Sequence, residues 1–141
     1  MNNQFNFDET FHSIWYSDDY LNLKREGWGF LYVMEGLNPD NFEPMGIYKI
    51  GIAKDISNRL RCLEKENLTY PKMELHPKLI KALFTSNPEE KEWILHSLFD
   101  DFRIGGEWFK LNANDLFFLM LMNSGTIDNI KNSKYPHEHE L

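Results

Sequence analysis

The feature that most constrains the fold is a strand–turn–helix unit in the middle of the chain, at residues 46–59. Apolar and non-apolar residues alternate across 47–52, which is the pattern of a half-buried strand. After a turn, apolar residues recur three to four positions apart, as in an amphipathic helix: Ile56, Leu60 and Leu63. Asp55 or Ser57 can cap the first turn of this helix. The unit therefore predicts a strand followed, after a short turn, by a helix.

Two further runs predict strands on either side of this unit. The aromatic and β-branched run at 30–34 is bounded by glycines, which indicates a strand. The loop at 35–46 contains prolines and glycines and is short enough to pair this strand antiparallel with the central one. The run at 79–85 fits a strand or a helical turn, and the punctuation that follows it at 86–88 favours the strand.

A helix is predicted to start at Pro88 and to run to about Asp101. Asn87 is expected to be its N-cap, and the prolyl ring suits the first helical position. Glu92 and His96 are four residues apart, so their side chains lie together on one side of this helix.

Helices are also predicted near both ends of the chain. Apolar residues among polar ones at 10–26 indicate a first helix that stops at Gly27. A last apolar helix is expected at 115–122, with Asn112 as its cap and Gly125 as its end. Residues 1–28 are accordingly expected to be a helical extension, 29–125 the main domain and 126–141 a polar tail.

The charge distribution separates the centre of the chain from its flanks. The net charge of −7 argues against non-specific binding to nucleic acid. However, residues 47–81 contain eight lysines and arginines against four acidic residues, while both flanks are acidic. A basic centre of this kind is either an ordinary solvated face or an interface for nucleic acid, and Lys54 and Arg61 are the candidate contacts.

The single cysteine, Cys62, excludes an internal disulfide and a cysteine-based zinc site. A single cysteine, with no partner for a disulfide in the same chain, suits a reducing, cytoplasmic compartment. The longest apolar run, 116–122, is too short to cross a bilayer, so a membrane protein is not expected.

Five polar residues on these elements together suit hydrolysis of a phosphodiester bond. The reaction needs a base or base-positioner for water, cations for the charge that develops on the phosphate, and an oxygen ligand for a hard divalent ion. The candidates are Tyr32, Lys49, Arg59, Glu92 and His96. One carboxylate suffices for Mg²⁺, because that ion keeps several waters and takes phosphate oxygens of the substrate.

The ordered set of motifs resembles the GIY-YIG endonuclease superfamily over about residues 29–111. The segments that carry the resemblance are Gly-Phe-Leu-Tyr-Val-Met at 29–34, Tyr-Lys-Ile-Gly-Ile at 48–52, Arg-Leu at 59–60, Glu-Trp-Ile-Leu-His-Ser-Leu-Phe at 92–99 and Arg-Ile-Gly-Gly-Glu-Trp-Phe at 103–109. The Lys-Ile-Gly second motif and the Gly-Glu-Trp-Phe end look like the phage-type, stand-alone branch.

The resemblance implies an α+β fold, with a small three-stranded antiparallel sheet flanked by helices. It also implies a metal-dependent endonuclease that uses Mg²⁺ or Mn²⁺ on single- or double-stranded DNA. Tyr32 matches the tyrosine that assists the attacking water, Arg59 the arginine that holds the scissile phosphate, and Glu92 the metal ligand.

The remaining matched positions carry weaker roles. Lys49 stands where many relatives have a tyrosine, and beside Tyr32 it would favour the phenolate. His96 is expected to bond the phosphate or orient Glu92, while Tyr48 and Glu107 are weaker site candidates.

Two features depart from the resemblance. The chain is acidic overall, and neither flank is long enough for a separate DNA-recognition domain, so a second protomer could be needed for specificity. The alternative hypothesis is a catalytically silent module that binds nucleic acid or a protein partner, in a regulatory or anti-nuclease role.

Overall fold

In the computed structural model, which describes residues 5–6, 18–58 and 75–130, an antiparallel sheet is flanked by helices. The strands are β1 Phe5–Asn6, β2 Gly29–Leu37, β3 Pro44–Ala53, β4 His76–Thr85, β5 Arg103–Gly105 and β6 Trp108–Lys110. The helices are α1 Asp18–Arg25, α2 Pro88–Leu98 and α3 Ala113–Leu121. The strand order is β1-β4-β2-β3-β6-β5, and every pairing is antiparallel. The predicted α+β class is confirmed.

The three long strands β4, β2 and β3 are the three that the sequence predicts. The run at 79–85 is part of a strand, as favoured, and the three short strands β1, β5 and β6 widen the sheet to six in the part of the chain described. The β2–β3 hairpin loop is shorter than predicted, because pairing continues through Glu35 with Tyr48 and Gly36 with Ile47. A bulge then follows between Gly36 and Leu37.

Alternate residues of the strands pack into two apolar clusters on opposite faces of the sheet. On one face, Phe30, Tyr32 and Phe84 pack with Tyr20, which α1 supplies. The rings of Tyr20 and Phe84 are 5.0 Å apart. The opposite face is covered by the other two helices, and its cluster includes Leu31, Val33, Ile50, Ile94, Leu95 and Leu119. The period-two alternation of the strands therefore fixes which side chains each helix meets.

The predicted helix caps have mixed outcomes. The Asp55 carboxylate accepts a hydrogen bond from the Asn58 N–H at 3.0 Å, at the start of the helical residues 56–58. Asn112 and Asp115 form a complete capping box on α3. The predicted side-chain cap of Asn87 is wrong: this residue has φ +46° and its side chain makes no capping bond, since the left-handed backbone turns it away from the orphan amides of α2.

The C-terminal part of the described chain departs from the prediction. Gly125 does not end α3, which stops at Leu121; it belongs to a further helical segment at 124–130. Ile127 in that segment is fully buried in the core cluster under α3. Packing therefore continues past residue 125, where the sequence analysis placed the start of the tail. Within the described residues, no helix has the length and apolar character to span a bilayer.

A buried lysine ties the C-terminal end of α3 to the sheet. Lys81 on β4 is 9% exposed, and its ammonium donates hydrogen bonds to the carbonyls of Leu119, Met120 and Met122. These are carbonyls that the helix itself leaves without partners. Burial lowers the pKa of Lys81 to about 8.

We expect Lys81→Met to destabilise the fold by about 1–3 kcal/mol at neutral pH, because helix carbonyls lose their donors. Between pH 8 and 10.5 the unfolded chain binds more protons at Lys81 than the folded protein, so the lysine's contribution to the free energy of unfolding rises with pH. Urea unfolding of both proteins across this range tests this. Lys78→Met, on the same strand but exposed, should show neither effect.

Candidate active site

The candidate site lies at the edge of β3 where β6 stops pairing with it. The two strands pair from Ile47 to Lys49. The Ile50 N–H donates to the Glu107 carbonyl at 3.0 Å, and the Ile50 carbonyl accepts from His96 Nε2 at 2.7 Å. A side chain of α2 thus takes the place of the next strand. Residues from both faces of the sheet meet at this edge.

Tyr32 lies across the neighbouring strand at Gly51, its partner in the β2–β3 register. A Cβ atom at Gly51 would lie 2.5 Å from the Tyr32 hydroxyl and 2.9 Å from Glu107 Oε1. The phenol and the carboxylate therefore approach the same point in space, directly over the glycine. The tyrosine ring is 1% exposed, so apolar packing fixes the position of its hydroxyl.

Lys49 provides a cation on the same face of the sheet. Its ammonium lies 3.4 Å from Glu107 Oε1 and 5.9 Å from the centre of the Trp108 ring, which is its register partner. The lysine side chain is 10% exposed against 37% for Glu107. The cation is thus held in place, while the carboxylate is the more accessible member of the pair.

Glu92 on α2 contributes a carboxylate with an unpaired oxygen. Its Oε2 atom is buried and has no hydrogen-bond partner. Burial, followed by the charge of Glu107, raises the pKa of Glu92 to about 7, and Lys49 acts in the opposite direction. An ionised oxygen without a partner is costly to bury, so this carboxylate is prepared for a cation.

His96, one turn further along α2, is a neutral imidazole at pH 7. Burial is the main reason that its pKa is lowered, although the bond to Ile50 acts in the opposite direction. Because a carbonyl can only accept, Nε2 carries the proton, and Nδ1 is left as an acceptor. The ring also packs on Phe109, with 5.1 Å between centres. Both contacts fix the orientation of the ring.

The Glu92 carboxylate suits a hard divalent ion that keeps much of its water shell. This rests on its buried Oε2 atom, which has no hydrogen-bond partner, and on the nearby negative charge of Glu107. No group of three or more acidic, histidine or cysteine side chains is poised to enclose an ion within the described residues. The arrangement suits Mg²⁺ or Mn²⁺ on one carboxylate rather than a closed structural site.

The structure brings together five of the residues predicted from the sequence: Tyr32, Lys49, Glu92, His96 and Glu107. Tyr48 is not among them, because it follows the opposite parity on β3. It lies in the cluster beneath α2, and its hydroxyl donates to Glu35 at 3.3 Å. Lys54 is exposed just beyond the end of β3. Arg59 and Arg61 lie outside the described residues.

Arg103 is a site neighbour that was not among the site residues predicted from the sequence. Its Nε donates to Asp100 at 3.0 Å, another nitrogen donates to the Gly106 carbonyl, and the guanidinium lies 4.9 Å from the centre of the Phe109 ring. It thereby holds the turn that presents Glu107, and its charge acts on the pKa of Glu92. The signal available in the sequence was an arginine two residues before a glycine pair.

Comparison with known proteins places this α+β domain in a family. A family model of the T5orf172 domain matches residues 29–120, and the chain belongs to this family. Part of the chain is similar to uncharacterized protein 460R of Invertebrate iridescent virus 6, with 32% identity over 73 residues. That match covers 52% of the chain and 31% of the viral protein's length. No solved structure gives a significant match.

The assignment to the GIY-YIG endonuclease superfamily is therefore wrong, since the matching family, T5orf172, is a distinct one. The quoted motifs are short, and much of their content has a structural cause. Aromatic and β-branched runs beside glycine are what adjacent strands of any antiparallel sheet favour. The roles of the site residues must therefore be argued from the geometry of this chain.

We expect Gly51→Ala to destabilise the protein by about 1–3 kcal/mol, because the added methyl group overlaps the Tyr32 hydroxyl. Tyr32→Phe in the same chain should recover part of this cost, which a double-mutant cycle of urea unfolding measures. Gly125→Ala is the matched control: its methyl group would meet only the Asn123 side chain at 3.4 Å. Equal effects of both alanines would contradict the close approach.

A second expectation concerns the pH dependence of stability in EDTA. Between pH 4.5 and 7 the folded protein binds more protons at Glu92 than the unfolded chain, so its contribution to the free energy of unfolding falls as pH rises. Glutamine stays neutral, so Glu92→Gln should gain stability relative to wild type across this range. A stability difference between Glu92→Gln and wild type that does not change with pH would contradict the raised pKa of Glu92.

Proposed function

We propose that this protein hydrolyses phosphodiester bonds of DNA with the help of a divalent metal ion. The observation that carries the proposal is the buried, unpaired Oε2 of Glu92 beside the Lys49–Glu107 ion pair. A carboxylate left without a partner next to a fixed cation suits a ligand that brings both a positive ion and a negative phosphate. Bound Mg²⁺ or Mn²⁺ would stabilise negative charge on the phosphate oxygens.

The chain's own residues supply the remaining roles. Lys49 is preorganised to attract a phosphate oxygen, since Glu107 and Trp108 hold its ammonium in place. The Tyr32 hydroxyl is fixed over Gly51 and is positioned to orient or deprotonate the attacking water. His96 Nδ1 can accept a proton or a hydrogen bond from the same water.

A polyanionic substrate is supported by the basic central segment. The chain is acidic overall, but residues 47–81 carry eight of its fifteen lysines and arginines. Lys49 and the exposed Lys54 of this segment lie on or just after β3, whose edge forms the site. Cations close to the site favour local attraction of a phosphate chain.

The test is cleavage of labelled single- and double-stranded DNA with Mg²⁺, Mn²⁺ or EDTA. We expect wild type to cut only with metal, and Glu92→Gln to lose activity by about 10²-fold or more. Asp101→Asn, an exposed acidic position just after α2, should stay near wild type. As a readout that does not depend on turnover, Mn²⁺ should raise the melting temperature of wild type and Asp101→Asn, but not of Glu92→Gln.

The same experiment addresses the rival hypothesis of a catalytically silent module, which the acidic flanks favour. DNA binding that weakens steeply with salt, without cutting under any metal, would indicate a nucleic-acid-binding module. Absence of both binding and cutting would indicate a protein partner. Either result, obtained with folded protein, would contradict the proposal that the protein is a nuclease.

A further inference from the structure

A small pocket lies beside the candidate site, at the end of β3 and the start of α2. It has a volume of about 190 Å³, and its lining includes Trp28, Ala53, Lys54, Pro88 and Glu89. This is smaller than the roughly 300–1,000 Å³ of pockets that enclose drug-sized ligands. Its size therefore suits one flat ring system rather than a whole nucleotide.

A glycine keeps the space open. Gly29 lines the pocket, and a Cβ atom there would lie 3.3 Å from the Ala53 carbonyl oxygen and 3.3 Å from Pro88 Cγ. Any larger side chain at this position would press against the strand and the helix that bound the pocket. The cavity thus depends on the missing side chain between β3 and α2.

The lining combines ring-bearing residues with charges of both signs. Trp28 and Pro88 carry the rings, while Lys54 carries donors and Glu89 carries acceptors. Both charged residues are exposed, so they lie where a ligand edge can meet them without burying a free ion. Aromatic stacking together with mixed donors and acceptors is the chemistry that recognises a nucleobase.

The pocket is adjacent to the Glu92 site without overlapping it. Glu89 and Glu92 are three residues apart on α2, so they share one side of the helix. On β3, Ala53 lies two residues beyond Gly51, or about 6.6 Å along the strand. A ring in the pocket would therefore lie next to a phosphate held by Lys49, not on it.

We propose that this pocket binds one unpaired nucleobase of the DNA strand, next to the phosphate at the Glu92 site. The inference rests on the proposed function, which it deepens by naming the substrate feature that is recognised. A base can enter such a pocket only when it is outside a base pair. The protein should therefore bind single-stranded DNA more tightly than a duplex.

The test measures binding in EDTA, so that no strand is cut. An oligothymidylate is compared with an abasic strand of the same length and backbone. We expect wild type to bind the abasic strand about tenfold more weakly, within the range found for loss of one stacked base. Trp28→Leu should bind both strands equally, and Lys54→Met should weaken binding of the oligothymidylate. Phe117→Leu, an exposed aromatic position on α3, should behave as wild type.

A spectroscopic readout covers the case in which Trp28→Leu fails to fold, since Trp28 packs 5.5 Å from Phe84. The chain has four tryptophans, so the indole N–H signals in an NMR spectrum are few enough to follow. The Trp28 signal should shift most with oligothymidylate and little with the abasic strand. DNA binding with no preference for bases and no shift of the Trp28 signal would contradict the base-binding pocket but leave the nuclease proposal intact. Absence of all DNA binding and cutting would contradict both proposals.

Discussion

The candidate site depends on the absence of a side chain at Gly51. Tyr32 belongs to β2, but its hydroxyl crosses β3 and approaches Glu107, which precedes β6. Only a strand without a Cβ atom at the crossing point lets groups from both sides of β3 approach the same point. The site therefore depends on the β2–β3 register. A slip of one residue would put Ile50 or Ile52 opposite Tyr32 and turn Gly51 to the other face of the sheet.

The arrangement of charges at this crossing is unfavourable for stability by itself. Glu92 leaves a buried oxygen without a donor, and Glu107 repels it, although Lys49 offsets part of that repulsion. Elsewhere in the described residues, polar groups are closely satisfied, as in the capping box of α3 and the three carbonyls bonded by Lys81. Concentrated strain of this kind in an otherwise satisfied structure is typical of a functional site.

Local signals were enough to predict the long elements. Period-two alternation identified β3, and an aromatic and β-branched run between glycines identified β2. A proline with acidic residues identified the start of α2. The helical segment 124–130 was missed because its burial through Ile127 depends on α3 above it, which no local pattern reports. Strand parity alone would have separated Tyr48 from Lys49. The role of Gly51 follows only from contacts between strands distant in sequence, whereas Arg103 contacts residues three to six positions away.

The start of β6 at Trp108 decides whether there is room for a site at all. An unpaired strand edge is usually a liability, since it can pair with another chain. Here Gly106, with φ +55°, turns the backbone so that β6 begins opposite Lys49. Had β6 begun two residues earlier, it would have paired with Gly51 and closed the space over it. His96 bonds the next carbonyl instead, which protects the edge with a side chain and leaves the carboxylates of Glu92 and Glu107 accessible to a ligand.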